Sequence, residues 1–178
     1  MKGGALSLLE AAARFSAFAE NTKIAKQVTL AEIAIMIRDE AKAAIGTYKF
    51  RWPHLAESTQ EDRLRKGFSE DEPGLRTGEM RESIEAKIVV DEELAYVGSN
   101  NDKLVWFELG TQSQPPRSVL LMAALKKQPE ATRIAKRNIR RAWISAGNGN
   151  HELMMALHAL RLMLDAFRYI YHGHGLKK

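Results

Sequence analysis

Ser83-Ile84-Glu85-Ala86-Lys87-Ile88-Val89-Val90, then Asp91-Glu92-Glu93, then Leu94-Ala95-Tyr96-Val97, is the stretch whose reading decides the fold class. Ile84, Ala86, Ile88 and Val90 alternate with Glu85, Lys87 and Val89, the two-residue period of a strand with one covered face. The acidic triplet reads as a turn and the next four residues as the returning strand. Gly98-Ser99-Asn100-Asn101 is a second turn signal, followed by Leu104-Val105-Trp106-Phe107. Connections this short predict a meander of two or three antiparallel strands.

On the N-terminal side of this stretch the pattern is helical. Leu6, Leu9, Ala13 and Ala17 recur at three- to four-residue spacing, and Asn21-Thr22 is the expected break. Thr29-Leu30-Ala31-Glu32 reads as a capping box that opens a second helix, with Leu30, Ile33, Ile37 and Ala41 as its apolar stripe and Gly46 as its stop. Residues 47–78 lack sustained periodicity. They carry Trp52-Pro53 and a short helical stretch over Thr59–Lys66, and a connection this long is a candidate for ordering on assembly. On the C-terminal side, a polar loop with Pro115-Pro116-Arg117 precedes a helix that Ser118 would cap. Pro129 would occupy the first turn of a new or kinked helix reaching about Ser145. Gly147-Asn148-Gly149-Asn150 breaks the chain again, before a last helix to about Tyr171. The expected architecture is α+β: a small antiparallel β-sheet flanked by N-terminal helices and a C-terminal helical extension. The expected divisions are 1–46 for the first helices, 47–127 for the α+β core with its long loop 47–78, and 128–178 for a basic helix and helical arm.

Composition narrows the function classes. The 178 residues include no cysteine, so disulfides, thiolate metal sites and cysteine nucleophiles are excluded. No apolar run approaches the roughly 18–20 residues needed to cross a bilayer. Met1-Lys2-Gly3-Gly4 and the following alanines resemble a signal peptide, but Glu10 and Arg14 interrupt the apolar stretch, so a soluble, cytoplasmically made protein is expected, with no membrane association. The net charge of +5 is unevenly placed. Residues 118–178 hold 11 Lys and Arg against 3 Asp and Glu, whereas residues 1–117 hold 16 against 19. Such asymmetry points to a polyanionic partner or an acidic protein surface.

Catalytic motifs are missing. There is no Gly-rich phosphate loop, His-Glu-x-x-His or Gly-x-Ser-x-Gly, so no enzyme activity, cofactor or metal is expected. His172 and His174 read as a frayed end, His158 as a core neighbour, and Glu79, Glu82 and Glu85 as solvated charges. Arg133, Lys136, Arg137, Arg140 and Arg141 are the stronger signal: five cations within nine residues of one expected helix, most of them on one face. They form the candidate DNA- or partner-facing surface. With no aromatic or Asn/Gln pattern for base reading, contact with DNA there is expected to be non-specific, through the backbone, and salt-sensitive. Met154, Met155, Met163 and the neighbouring leucines make the last helix apolar on more than one face. It therefore needs covering by the domain or by a neighbouring subunit.

Five short blocks in fixed order carry a resemblance. Trp52-Pro53-His54-Leu55 with Ser58-Thr59 comes first, and Leu75-Arg76-Thr77-Gly78-Glu79-Met80-Arg81-Glu82-Ser83-Ile84 second. Tyr96-Val97-Gly98-Ser99-Asn100, Trp106-Phe107-Glu108-Leu109-Gly110-Thr111 and Gln114-Pro115-Pro116-Arg117 follow. Together these resemble the tail-completion (head–tail joining, neck) family of tailed bacteriophages over about residues 50–125. The resemblance implies a structural virion protein joining the tail to the head connector. It would be made in the host cytoplasm and assembled as a homo-oligomeric ring subunit around the DNA channel. The alternative is a phage DNA-binding or packaging accessory protein. Within the blocks, Trp52 is a large apolar anchor. Gly78 suits a tight approach to the first strand, while Gly98 and Gly110 suit turns with positive φ. Arg76, Arg81 and Arg117 would bridge to carboxylates of this chain or a neighbour. Trp106 and Phe107 would point to opposite faces of a third strand.

Overall fold

The structure is a computed structural model, and it describes residues 7–147. In order, the elements are α1 (Leu8–Ala44), α2 (Glu57–Arg65), α3 (Glu79–Glu82), β1 (Glu85–Val89), β2 (Leu94–Gly98), α4 (Asp102–Leu109) and α5 (Leu120–Ser145). The protein is α+β, with a two-stranded antiparallel sheet among helices. Two compact units are present. One is Gln27–Ile134; the other is drawn from both ends of the chain, with 7–26 and 135–147 described. The expected last helix, His158, His172, His174 and the methionine-rich face lie outside the described residues.

The first helix begins where a reciprocal cap forms. Ser7 Oγ accepts from the Glu10 backbone N–H at 3.2 Å, and Glu10 Oε2 accepts from the Ser7 N–H at 2.9 Å. This capping box stands at Ser7, not at Thr29, which lies in mid-helix. The expected break at Asn21-Thr22 is absent as well, because both side chains find partners without leaving the helix. Thr22 Oγ1 donates to the Phe18 carbonyl one turn back at 2.7 Å, and Asn21 Nδ2 donates to Ser145 Oγ at 3.1 Å. The stop at Gly46 is as expected. Its φ of +85° lets the chain turn out of the helix, and its N–H donates to the Pro73 carbonyl at 2.8 Å.

The larger unit is held by one apolar cluster. α1 contributes Ala41 and Ala44 with half-buried Ile37, α4 contributes Leu104 and Phe107, and Val119 and Ala123 come from the start of α5. Ile45, Trp52, Met80 and Ile84 fill the remainder. The hairpin pairs Ala86 with Val97 and Val89 with Leu94, so the expected hairpin is present, but its turn takes in Val90 as well as the acidic triplet. No third strand follows. Asn101 Oδ1 accepts from the Lys103 N–H at 3.0 Å and starts α4 instead. Leu104 and Phe107, three apart, are both buried on one helix face, a pairing a strand would split. Phe107 is in the core and Trp106 is 56% exposed, so the two do diverge, but around a helix axis.

Residues 47–78 contain α2 and are tied together by a buried arginine. Arg63 Nε donates to the Ser69 carbonyl at 2.6 Å and Nη2 to the Leu75 carbonyl at 2.7 Å. Asp62, on the same helix, meets Arg65 at 2.6 Å, Lys66 at 2.9 Å and Arg76 at 3.2 Å. Hydrogen bonds from Lys66 and Arg65 hold its carboxyl down at about 2, well below the usual aspartate value. A depressed folded-state value means that these contacts stabilise fully above about pH 4 and lose their effect as pH falls toward 2. In Asp62→Asn the fall in melting temperature across that window is therefore expected to be shallower than in the parent, as read by circular dichroism.

Candidate functional site

Three of the five sequence blocks, the first, fourth and fifth, meet in the larger unit as a set of fasteners around the α4–α5 connection. Gly110 ends α4 with φ +77° and ψ 177°, and its N–H donates to the Trp106 carbonyl at 2.9 Å. An added Cβ would sit 2.8 Å from the Pro116 nitrogen and 2.9 Å from the Gln114 carbonyl oxygen, so the chain can fold back on itself only over a glycine. The return brings the Arg117 N–H to the Phe107 carbonyl at 2.7 Å. From there the buried Arg117 side chain reaches the carbonyls of Pro53 at 3.1 Å and His54 at 3.4 Å, stitching the first block to the last. Its guanidinium lies 5.9 Å from the Phe107 ring centroid, and that ring packs edge-on against Trp52 at 5.5 Å.

Glu108 completes the set. Its Oε2 accepts from the backbone N–H groups of Val119 (2.6 Å) and Leu120 (3.0 Å), and its Oε1 from that of Leu121 (3.1 Å). Three donors at the start of α5, which no helical carbonyl can reach, are thus met by one carboxylate from the preceding helix. The negative charge also sits at the positive end of the α5 dipole. Ser118, expected as the cap, instead donates through Oγ to the Glu108 carbonyl at 3.1 Å. Pro129 lies inside α5 rather than in a first turn.

The other motif residues fall in different places. Gly78 precedes α3 with φ +87°, so it serves a helix start and not a strand. Gly98 ends β2 without positive φ, because pairing with Glu85 keeps it extended. Arg76 and Arg81 do meet carboxylates, Asp62 at 3.2 Å and the adjacent Glu82 at 3.1 Å. Arg117 meets carbonyls instead, since the segment it crosses at Pro53-His54 presents backbone there.

A second cluster knots residues 48–71. Asp71 accepts from the Tyr48 hydroxyl through Oδ1 and faces His54 Nδ1 at 2.9 Å through Oδ2. The Tyr48 and His54 rings stack at 4.2 Å, and the Leu55 N–H donates to the Tyr48 oxygen at 3.2 Å. These hydrogen bonds lower the Asp71 carboxyl, while burial and the Asp71 bond raise the Tyr48 hydroxyl. Neither group is tuned toward neutral pH for proton transfer. The cluster fixes a loop. Nearby, Glu40 is buried within 2.8 Å of Lys49 and 2.9 Å of Lys126. Burial opposes its ionisation, but those two ammonium groups outweigh it and the carboxyl is lowered.

The basic surface expected on a late helix is present on α5. Arg133, Lys136, Arg137, Arg140 and Arg141 are all exposed. At about 100° per residue they occupy an arc of roughly 140°. Asn138, Ala142 and Ala146 are buried on the side opposite. Phe18 packs edge-on against Trp143 at 4.7 Å, and Asn21 reaches the end of the helix, so the covered side of this stretch faces α1.

No family model, curated protein or solved structure matches the chain. The likeness to tail-completion proteins therefore rests on the five blocks themselves. Sequence reasoning missed Glu108 and Gly74. Glu108 stood just after a presumed strand, and a carboxylate twelve residues before a helix start carries no signal. Gly74 has φ +75°, and a Cβ there would lie 2.7 Å from Met80 Cε and 3.0 Å from Phe107 Cζ; its sequence signal was the Pro73-Gly74 turn pair.

Proposed function

We propose that the chain is a structural, non-enzymatic subunit of a tailed-phage particle that joins the tail to the head connector, assembling as a ring around the DNA channel. The observation that carries this reading is the use to which the blocks are put. Trp52, Glu108, Gly110 and Arg117, from blocks separated by up to 65 positions in sequence, fasten one connection, and none is arranged around a cleft. A scaffold that presents surfaces to partners needs such fasteners; an active site needs groups left free to react. The exposed cationic side of α5 also favours a second reading, an accessory protein of DNA packaging.

Negative-stain microscopy of particles made without this chain separates the two. Filled heads beside finished, detached tails, rescued by supplying the protein, are the result expected. Normally joined particles would overturn the joining role, and empty heads would move the function to packaging.

A further inference from the structure

We infer that the exposed side of the last part of α5 is a docking surface for the phosphate backbone of duplex DNA, formed by Lys136, Arg140 and Arg141. The first support is the contrast with the other cations. Lys42 is paired with Glu82, Lys49 and Lys126 with Glu40, Arg65, Lys66 and Arg76 with Asp62, and Lys103 with Glu79. Among the described residues Lys136, Arg140 and Arg141 have no such partner, and residues 131–147 contain no Asp or Glu to supply one. Arg14, Arg51 and Lys87 have none either, but only Lys136, Arg140 and Arg141 stand together on one helix. Arg137, on the same arc, turns its Nε toward Asn138 Oδ1 at 3.3 Å.

The second support is the shape of the charge. From Lys136 to Arg141 the helix rises about 7.5 Å, so the cations form a compact band along one side of a cylinder. Two of these three cations are arginines, whose planar forks match phosphate oxygens. No aromatic ring or amide side chain is interleaved with them on that side to read bases, so the contact follows the backbone and ignores sequence. Ile144 is the one large apolar side chain exposed within that arc, too little for the apolar centre that a folded acidic protein partner would call for inside the charged rim. The inference rests on the head–tail reading only for the source of the duplex.

The test is fluorescence anisotropy of a labelled random-sequence duplex with the full chain, across roughly 50 to 200 mM salt. Binding is expected to weaken with salt, and Arg140→Gln/Arg141→Gln to weaken it at least about tenfold at the lower salt. The log–log slope should become shallower by about 0.9 for each phosphate contact removed. Lys87→Gln/Lys103→Gln, exposed elsewhere, should leave the slope unchanged. Because Arg140 and Arg141 lie on the exposed side, their variant is expected to melt like the parent, so lost binding reads as lost contact. No binding by the full chain, or an unchanged slope in the Arg140/Arg141 variant, overturns the inference. So does displacement by polyglutamate as effective as by an equal charge of unlabelled duplex. Heads and tails that stay joined with the same variant, its DNA slope reduced, would keep this contact and assign the joining to other surfaces.

Discussion

Gly110→Ala is expected to destabilise the protein by about 3–4 kcal/mol, the largest effect of any single methyl group in the larger unit. Two costs add. With φ +77° and ψ 177° the residue occupies a region that only glycine enters freely, worth about 1–3 kcal/mol to any other residue. The new Cβ would also press on the Pro116 nitrogen at 2.8 Å and the Gln114 oxygen at 2.9 Å, both backbone atoms that cannot swing aside. Urea denaturation should show a lower midpoint with an unchanged slope. Gly67→Ala supplies the comparison. Its φ is +75° but nothing lies within 4 Å of the added methyl, so only the backbone cost of about 1–2 kcal/mol should remain. Equal losses at the two positions would show that the close approach at Pro116 contributes nothing.

Glu108→Ala is expected to cost about 2–3 kcal/mol. Removing an ordinary helix cap costs about 1 kcal/mol, but here one carboxylate serves three N–H groups, and that of Val119 is buried. Glu108→Gln keeps an oxygen acceptor without the charge and should recover about half of the loss. Chemical denaturation measures both. Amide hydrogen exchange adds a local readout: in Glu108→Ala the amides of Val119, Leu120 and Leu121 should lose protection before those in the middle of α5. If they keep their protection while global stability falls, the carboxylate acts through something other than the helix start.

These two positions also show what the amino-acid sequence makes legible. The hairpin was readable as a hairpin, because two-residue alternation and a charged triplet are local signals, but its register was not: the turn begins one residue early, at Val90, and sets Val89 opposite Leu94. The third strand was misread because Leu104-Val105-Trp106-Phe107 is a short apolar run, which suits strand and buried helix alike. What decided it was the Asn101 cap and a core that needed Leu104 and Phe107 on one side. The break at Asn21-Thr22 failed for a related reason: the partners of Asn21 lie more than 120 positions away in sequence. The cationic surface was legible since it is a property of one helix, whereas the Glu108 clamp joins two elements and appears in no single window. Arg117 was singled out as a bridge to carboxylates, but its partners are carbonyls, and backbone carbonyls carry no residue-type signature.

The hairpin has a last consequence. In a sheet of two strands neither is interior, so along Glu85–Val89 and Leu94–Gly98 each strand spends its ladder bonds on one side and leaves a row of amides and carbonyls on the other. A β-hairpin with open margins is a template for any extended segment, and with Leu94 and Tyr96 exposed on its surface this one is apolar as well. Glu85, Lys87, Glu92 and Glu93 are the charges that guard it. Purification at high salt, which screens those guards, therefore favours strand-to-strand clumping, and the protein is best concentrated in dilute buffer.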